Sequence, residues 1–337
     1  MTETPHAVSV VGAGTMGHGL AVQVARAGTP VTLIDHRESN LADARERIDD
    51  ALAFLAEESL LDADVEAVRG RIDETTDVEA GVGDADLVLE TVSEDVDVKA
   101  EVFDTLADAA SDDAVLASNT SGIPITDVGE TVPAVADRVV GCHWWNPPYL
   151  MPLVEVVRGE ATSDETVERT RAFVDSVDRD PIVVERDVPG FVWNRIQFAV
   201  LRECMHIVEE GVASLSDVER AVRDGYALRT ATVGPFETVD LSGVDLFRDI
   251  AAELYPHLAD DDEPSPLFDE RIEAGRNGVE DGAGFRDYDD PPAAVVRRRN
   301  ERIAAIRRAL GDDRTPRAAP RRRASPTAAA PREGASR

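Results

Sequence analysis

The sequence predicts an α/β fold, in which a doubly wound, mostly parallel sheet is followed by an all-helical C-terminal domain. Three observations carry this. From Ala7 to about Asp187, apolar runs rich in Val, Ile and Leu alternate with charged amphipathic stretches, the pattern of strands buried on both faces with crossover helices between them. A glycine-rich run, Gly12-Ala13-Gly14-Thr15-Met16-Gly17, sits where the first apolar run gives way to the first helical one. Beyond Val188-Pro189-Gly190 the apolar spacing becomes helical, as in Val192, Ile196, Ala199, Val200 and Val208.

In chain order, strands are expected at residues 7–11, 30–34, 85–91, 114–118, 138–143 and 153–157, with 181–184 as a late addition. The chain of 337 residues is long enough for two domains, because single cores stop growing near ~250–300 residues. We therefore expect an α/β domain over 1–187 and a mostly helical domain over 188–312. Residues 313–337 carry seven arginines against two acids among Pro and Ala, and are expected to be disordered. No apolar run approaches the ~18–20 residues that cross a bilayer. The N-terminus lacks the parts of a secretory signal, so a cytoplasmic protein is expected.

Acidic residues number 67 against 35 basic ones, and Lys99 is the only lysine. A net charge of −32 repels a phosphate backbone and so excludes nonspecific nucleic-acid binding. Such an excess suits a protein kept hydrated in concentrated salt, where the Debye length falls to ~3 Å at 1 M, and a halophilic host is expected. Cys142 and Cys204 make neither a disulfide framework nor a metal spacing, and both are expected as reduced core thiols.

The glycine run has the context of a dinucleotide fingerprint. Gly12 permits the tight turn, Gly14 lets backbone approach a pyrophosphate, and Gly17 lets helix and strand pack closely, with Thr15 and Met16 between them at the positive end of the helix. The second strand ends in Asp35, 23 residues after Gly12, where a carboxylate accepts ribose hydroxyls and repels a 2′-phosphate. NAD is thus the expected cofactor in a Rossmann-type domain. Glu94 and Lys99 follow the third expected strand at the sheet's carboxyl edge. Two readings stay open for Glu94, Asp95 and Asp97: a lining for the cofactor, or acids favoured at a helix N-terminus.

Polar groups meet at the ends of three strands: Ser118-Asn119-Thr120-Ser121, His143-Trp144-Trp145-Asn146-Pro147-Pro148, and Glu155 within Leu153-Val154-Glu155-Val156-Val157. A carboxylate set among apolar residues is costly to bury without a partner, and His143 stands twelve residues before it across a proline turn. A His held by a carboxylate has one tautomer and a stabilised cation, as a proton acceptor needs while an alcohol loses hydride. Ser121 is a hydrogen-bond partner for the substrate oxygen. Asn194, in Gly190-Phe191-Val192-Trp193-Asn194-Arg195, either reaches the same oxygen or bonds at a helix start.

Taken together, the GAGTMG run, Asn119-Thr120-Ser121, His143 with Asn146-Pro147, Glu155, Pro189-Gly190-Phe191 with Asn194-Arg195, and Gly234-Pro235-Phe236-Glu237 resemble the L-3-hydroxyacyl-CoA dehydrogenase superfamily over roughly residues 6–290. The resemblance implies an NAD-dependent oxidoreductase that interconverts a 3-hydroxyl and a 3-keto group, with His143 and Glu155 as the catalytic pair. It implies that Ser121 and Asn194 contact the reacting oxygen, that Glu94, Lys99, Ser121 and Asn146 lie near the nicotinamide half of NAD, and that the helical domain forms a homodimer.

For the substrate, two readings remain. Family members acting on acyl-CoA usually carry a Lys-rich helical insertion after the second strand, but residues 38–77 are acidic here, and Glu280 replaces a common basic residue. Asn146-Pro147-Pro148-Tyr149, Val208-Glu209-Glu210-Gly211 and Gly225-Tyr226-Ala227-Leu228-Arg229 resemble the branch with lambda-crystallin, L-gulonate 3-dehydrogenase and carnitine dehydrogenase. In that branch Arg229 would clamp a free carboxylate; otherwise it is a surface arginine at a helix end. Gly122-Ile123-Pro124-Ile125-Thr126 and Gly282-Ala283-Gly284-Phe285 resemble the acyl-CoA enzymes. The acyl-CoA assignment is kept first and the free 3-hydroxy acid second. A non-catalytic NAD-binding structural protein is the third reading, disfavoured by the intact polar set.

Overall fold

The computed structural model, which describes residues 5–310, builds the first part of the chain around one eight-stranded sheet. Its elements run β1 (Val8–Val11), α1 (Gly17–Arg26), β2 (Val31–Ile34), α2 (Glu38–Glu57), α3 (Val65–Arg69), β3 (Ile72–Thr75), α4 (Val78–Val82), β4 (Leu87–Glu90), α5 (Val96–Ala109), β5 (Val115–Ser118), α6 (Ile125–Thr131), β6 (Val139–Trp144), β7 (Leu153–Val157), α7 (Asp164–Ser176) and β8 (Asp180–Val184). Across the sheet the order is β3-β2-β1-β4-β5-β6-β7-β8, and all neighbours are parallel except β6 with β7.

All the strands expected from the sequence are present. The additional one, β3, lies in the acidic stretch 38–77. It is an edge strand in which only Ile72 is buried, so its Asp-Glu-Thr remainder carries no buried-strand signature. The inner strands β1, β4, β5 and β6 are buried along their whole length, as helices on both faces require. One apolar cluster joins the sheet to α1, α2 and α7 through Leu20, Leu41, Leu52 and Phe173. The opposite cluster joins it to α5 and α6 through Phe103, Leu106, Ile125 and Val128. Because β2 and β4 flank β1 on opposite sides, the winding reverses there and leaves a crevice at the carboxyl ends of the strands.

After β8 the chain is helical: α8 (Trp193–Glu209), α9 (Leu215–Arg220), a π-helical turn (Ala221–Ala227), α10 (Leu228–Thr230), α11 (Pro235–Ser242), α12 (Val244–Leu254), α13 (Pro266–Glu273) and α14 (Pro292–Leu310). Only isolated bridges among Gly278, Ala283 and Asp287 interrupt this. Helices α11, α12 and α13 bury none of their own residues.

Helix α14 behaves differently and returns to the first part of the chain. Arg297 pairs with Glu57, Arg308 pairs with Glu58 at 2.9 Å, and Ala304 is fully buried in the cluster shared with α2. Cys142 is a core thiol, and burial pushes its pKa up to about 12. Cys204 is only half-buried, contrary to the expectation of a core position, because α8 buries no residue but Met205. Among the described residues no helix is long and apolar enough to cross a membrane. The expected disordered tail, 313–337, lies outside the described residues.

Candidate active site

Strand register creates the central pair. In the antiparallel β6–β7 ladder His143 lies directly opposite Glu155, and opposite residues share a face. The His143 Nδ1 is 2.7 Å from Glu155 Oε2, with His143 4% exposed and Glu155 fully buried. The other carboxylate oxygen, Oε1, accepts the backbone N–H groups of Val192 and Trp193 at 2.9 and 3.0 Å, at the entry to α8. Burial works against the charge of Glu155. The hydrogen bonds from His143, Trp193 and Val192 outweigh it and hold the carboxyl below its ordinary range. A carboxylate bonded at Nδ1 directs proton exchange to Nε2. The Phe191 ring meets the imidazole edge-on, with centroids 5.8 Å apart.

A second carboxylate organises the neighbouring strand end. Glu94 Oε1 accepts the Thr120 hydroxyl at 2.6 Å and the backbone N–H groups of Ser121 and Gly122 at 2.7 and 3.1 Å. Burial raises its pKa, but these bonds and Lys99 together bring it below the usual value. Asp95 serves as the N-cap of α5, accepting from Asp97 and Val98. The helix N-terminus reading thus holds for Asp95, while Glu94 instead braces the loop after β5. From the other side, Asn194 Nδ2 donates to the Ser121 carbonyl at 2.8 Å, so Asn194 bridges to the β5 end and does not cap its own helix. The Ser121 hydroxyl is left exposed, and among the described residues it has no hydrogen bond.

Lys99 occupies a place that the sequence did not suggest. It does not line an open groove. It is 1% exposed, with Nζ 2.8 and 3.1 Å from the carboxylate oxygens of Glu90 and 3.4 Å from Glu94. Glu90 also accepts the Ser118 hydroxyl at 2.6 Å. Sequence reasoning passed over Glu90, although it shares with Glu155 the signal of a carboxylate set in an apolar stretch.

The glycine loop fits a dinucleotide. Gly12 has φ +107°, and a Cβ there would come within 2.7 Å of the Thr91 carbonyl; one on Gly17 would strike the Gly12 carbonyl at 1.8 Å. Above Gly14 nothing lies within 4 Å, so its backbone is free to meet a phosphate. Met16 supplies no side-chain cap to α1, which leaves the helix's positive end open to an anion. Thr15 is exposed and Met16 packs partly on the core. Asp35 is buried at the end of β2 and accepts from Ala13 N at 3.0 Å, tying the second strand to the loop.

Two candidates stand apart. Asn146 is exposed at the amino side of the cis Asn146–Pro147 bond, and its side chain pairs with no described residue. Arg229 is exposed in α10, and its side chain contacts none of the site residues by hydrogen bond or ion pair. The indoles of Trp145 and Trp193 stack with centroids 4.1 Å apart beside the site.

Known proteins resemble this chain over most of its length. Residues 7–188 match the family described as 3-hydroxyacyl-CoA dehydrogenase, NAD binding domain, and residues 190–288 match the 3-hydroxyacyl-CoA dehydrogenase C-terminal domain. The 5-formyl-3-hydroxy-2-methylpyridine 4-carboxylate 5-dehydrogenase of Mesorhizobium japonicum is 35% identical over 310 residues, covering 90% of this chain and 97% of that one. A 3-hydroxybutyryl-CoA dehydrogenase of Mycobacterium tuberculosis is 36% identical over 295 residues, covering 86% and 100%. The crystal structure of 5-formyl-3-hydroxy-2-methylpyridine 4-carboxylic acid 5-dehydrogenase, an NAD+ dependent dismutase, superposes with a TM-score of 0.84 at 34% identity, over 90% of this chain and 98% of that chain.

Proposed function

The chain belongs to the 3-hydroxyacyl-CoA dehydrogenase family of NAD-dependent oxidoreductases, and from that premise we propose that it oxidises a secondary alcohol with His143 as the proton acceptor. The observation that carries the proposal is the buried His143–Glu155 pair at 2.7 Å, with its carboxylate further held by Val192 and Trp193. Glu155 fixes the imidazole so that Nε2 takes the hydroxyl proton, and it stabilises the cation that results. Ser121 and Asn194 orient the reacting oxygen. NAD, when bound, supplies the hydride acceptor; Gly12, Gly14, Thr15, Met16, Gly17 and Asp35 hold its phosphates and ribose, and Glu94, Lys99 and Asn146 serve its nicotinamide half, Lys99 by fixing the loop that carries Ser121.

For the substrate we propose a small hydroxy acid with a free carboxylate. Support comes from the near full-length likeness to the Mesorhizobium enzyme, whose name specifies a pyridine carboxylate. It also comes from the α2 face, where Arg45 is engaged by Glu38 and Glu74 and Arg69 by Glu74, leaving these cations little freedom for CoA phosphates. The second reading, a 3-hydroxyacyl-CoA, is favoured by the family models and the mycobacterial relative. We further propose domains over 1–187 and 188–312, a homodimer, and a cytoplasmic enzyme of a halophilic host.

The experiment is His143→Ala, assayed in molar salt with 3-hydroxybutyryl-CoA and a panel of free 3-hydroxy acids. Turnover should fall at least ~100-fold while the NADH dissociation constant stays within about twofold. Undiminished turnover removes His143 from the mechanism.

A further inference from the structure

Between His143 and Glu155 the chain turns through residues 145–152, and three successive carbonyls of this turn are each gripped by an arginine from a different part of the chain. Arg179, just ahead of β8 and 1% exposed, donates Nε and Nη2 to the Pro148 carbonyl at 3.2 and 3.1 Å. Arg26, the last residue of α1, donates to the Tyr149 carbonyl at 3.1 Å. Arg307, in the last turn of α14, donates to the Leu150 carbonyl at 2.9 Å. Helix α1 also touches the turn directly, because a Cβ on Gly19 would come within 2.9 Å of Pro148. Gln23 of α1 accepts from Arg179 and donates to the Val177 carbonyl at 2.5 Å.

Gathering three guanidinium groups is electrostatically adverse. Burial, then the charges of Arg26 and Arg307, press the Arg179 pKa well below its ordinary value. Asp62 and Asp180 offset part of this, and charge-assisted bonds to buried carbonyls, stronger than neutral ones, offset more. Two of the grips belong to the sheet and its first helix. The third comes from a helix that begins at Pro292, beyond residue 288 where the second family match ends.

We propose that α14 is a positioning element of the active site, with Arg307 as the positioning residue that sets the turn joining β6 to β7. The turn fixes the register in which His143 faces Glu155 and carries Asn146 out from the sheet edge. Arg307 touches neither substrate nor cofactor. A misplacement of ~1 Å in such a frame costs up to ~100-fold in rate. The consequence for turnover rests on the oxidoreductase reading above; the hold on the turn does not.

The test compares Arg307→Ala and Arg307→Lys with Arg308→Ala, a neighbour on the same helix that grips Glu58 and not the turn. Hydrogen exchange is read on the amides of Leu150 and Met151, both bonded to the Pro147 carbonyl at 3.0 Å. In Arg307→Ala, exchange there should quicken about tenfold and kcat should fall about ten- to a hundredfold, with the NADH dissociation constant unchanged. Arg307→Lys, which keeps a donor, should recover most of both. Arg308→Ala should match the wild type. Unchanged exchange in Arg307→Ala overturns the proposal, as does faster exchange with undiminished kcat, or an Arg308→Ala variant that behaves the same way. If the wild type turns over none of the substrates, the oxidoreductase reading fails by itself, and the exchange comparison alone decides the role of Arg307.

Discussion

Glu90 and Lys99 form an ion pair sealed from water, with Nζ 2.8 and 3.1 Å from the two carboxylate oxygens and side chains 0% and 2% exposed. Through Ser118 on one side and Glu94 on the other, the pair stands under the loop that bears Ser121. In a chain that otherwise uses arginine for every basic residue, a compact ammonium is buried here between Glu90 and Glu94.

Removing one partner strands the other's charge. Lys99→Ala should therefore destabilise the protein by about 3–5 kcal/mol, read by denaturant unfolding in molar salt. The charge-conserving Lys99→Arg should also destabilise it, because a bulkier planar guanidinium must be accommodated at a fully buried position. A Lys99→Ala variant as stable as the wild type would mean that the Glu90 charge is not buried as described.

The pKa of Glu155 gives a pH dependence with a definite sign. Its folded pKa lies below its unfolded one, so folding favours the ionised form. The stability this contributes is present above the ordinary carboxylate range and is lost as pH falls through the depressed folded value. The gap in melting temperature between wild type and Glu155→Gln should thus be widest at neutral pH and narrow on acidification below the ordinary range. A gap that does not change with pH would show that the charge on Glu155 is not what the fold exploits.

How much of this was legible in the sequence depended on whether a signal was local. The strand before the glycine run, Asp35 at the end of the next strand and the carboxylate within 153–157 were each visible, because burial and turn chemistry leave marks within a few residues. Strand β3 was not visible, since an edge strand with one buried residue has no apolar alternation. The backbone N–H groups of Val192 and Trp193 that complete the Glu155 shell have no sequence signature at all. The grip of Arg26, Arg179 and Arg307 on one turn joins residues as far apart as 157 positions, and no spacing rule reports such a contact. Glu90 was legible by the rule that found Glu155 and was simply not distinguished from the apolar strand around it.

Arg229 separates the two substrate readings. Its guanidinium is exposed and, among the described residues, pairs with no site residue. Arg229→Ala should raise KM for a free hydroxy acid about tenfold or more, as the loss of a charge-assisted bidentate contact entails, and leave acyl-CoA turnover unchanged. Equal losses on both substrate classes would remove the carboxylate clamp.

Among the described residues, the helices after β8 leave large apolar side chains exposed. Phe236 is 85% exposed, Leu241 73%, Tyr255 69% and Leu228 67%. With α11, α12 and α13 burying nothing of their own, these helices lack the amphipathic packing that stabilises helices in water. A second copy offering the same face would cover these side chains and supply that packing, as a two-fold interface does. Sedimentation in molar salt should give a dimer at micromolar concentration. Phe236→Asp with Leu241→Asp should yield monomer, or a chain whose helical half exchanges its amides freely while 7–184 stays protected. A wild-type monomer with that half fully protected would show that these helices need no partner.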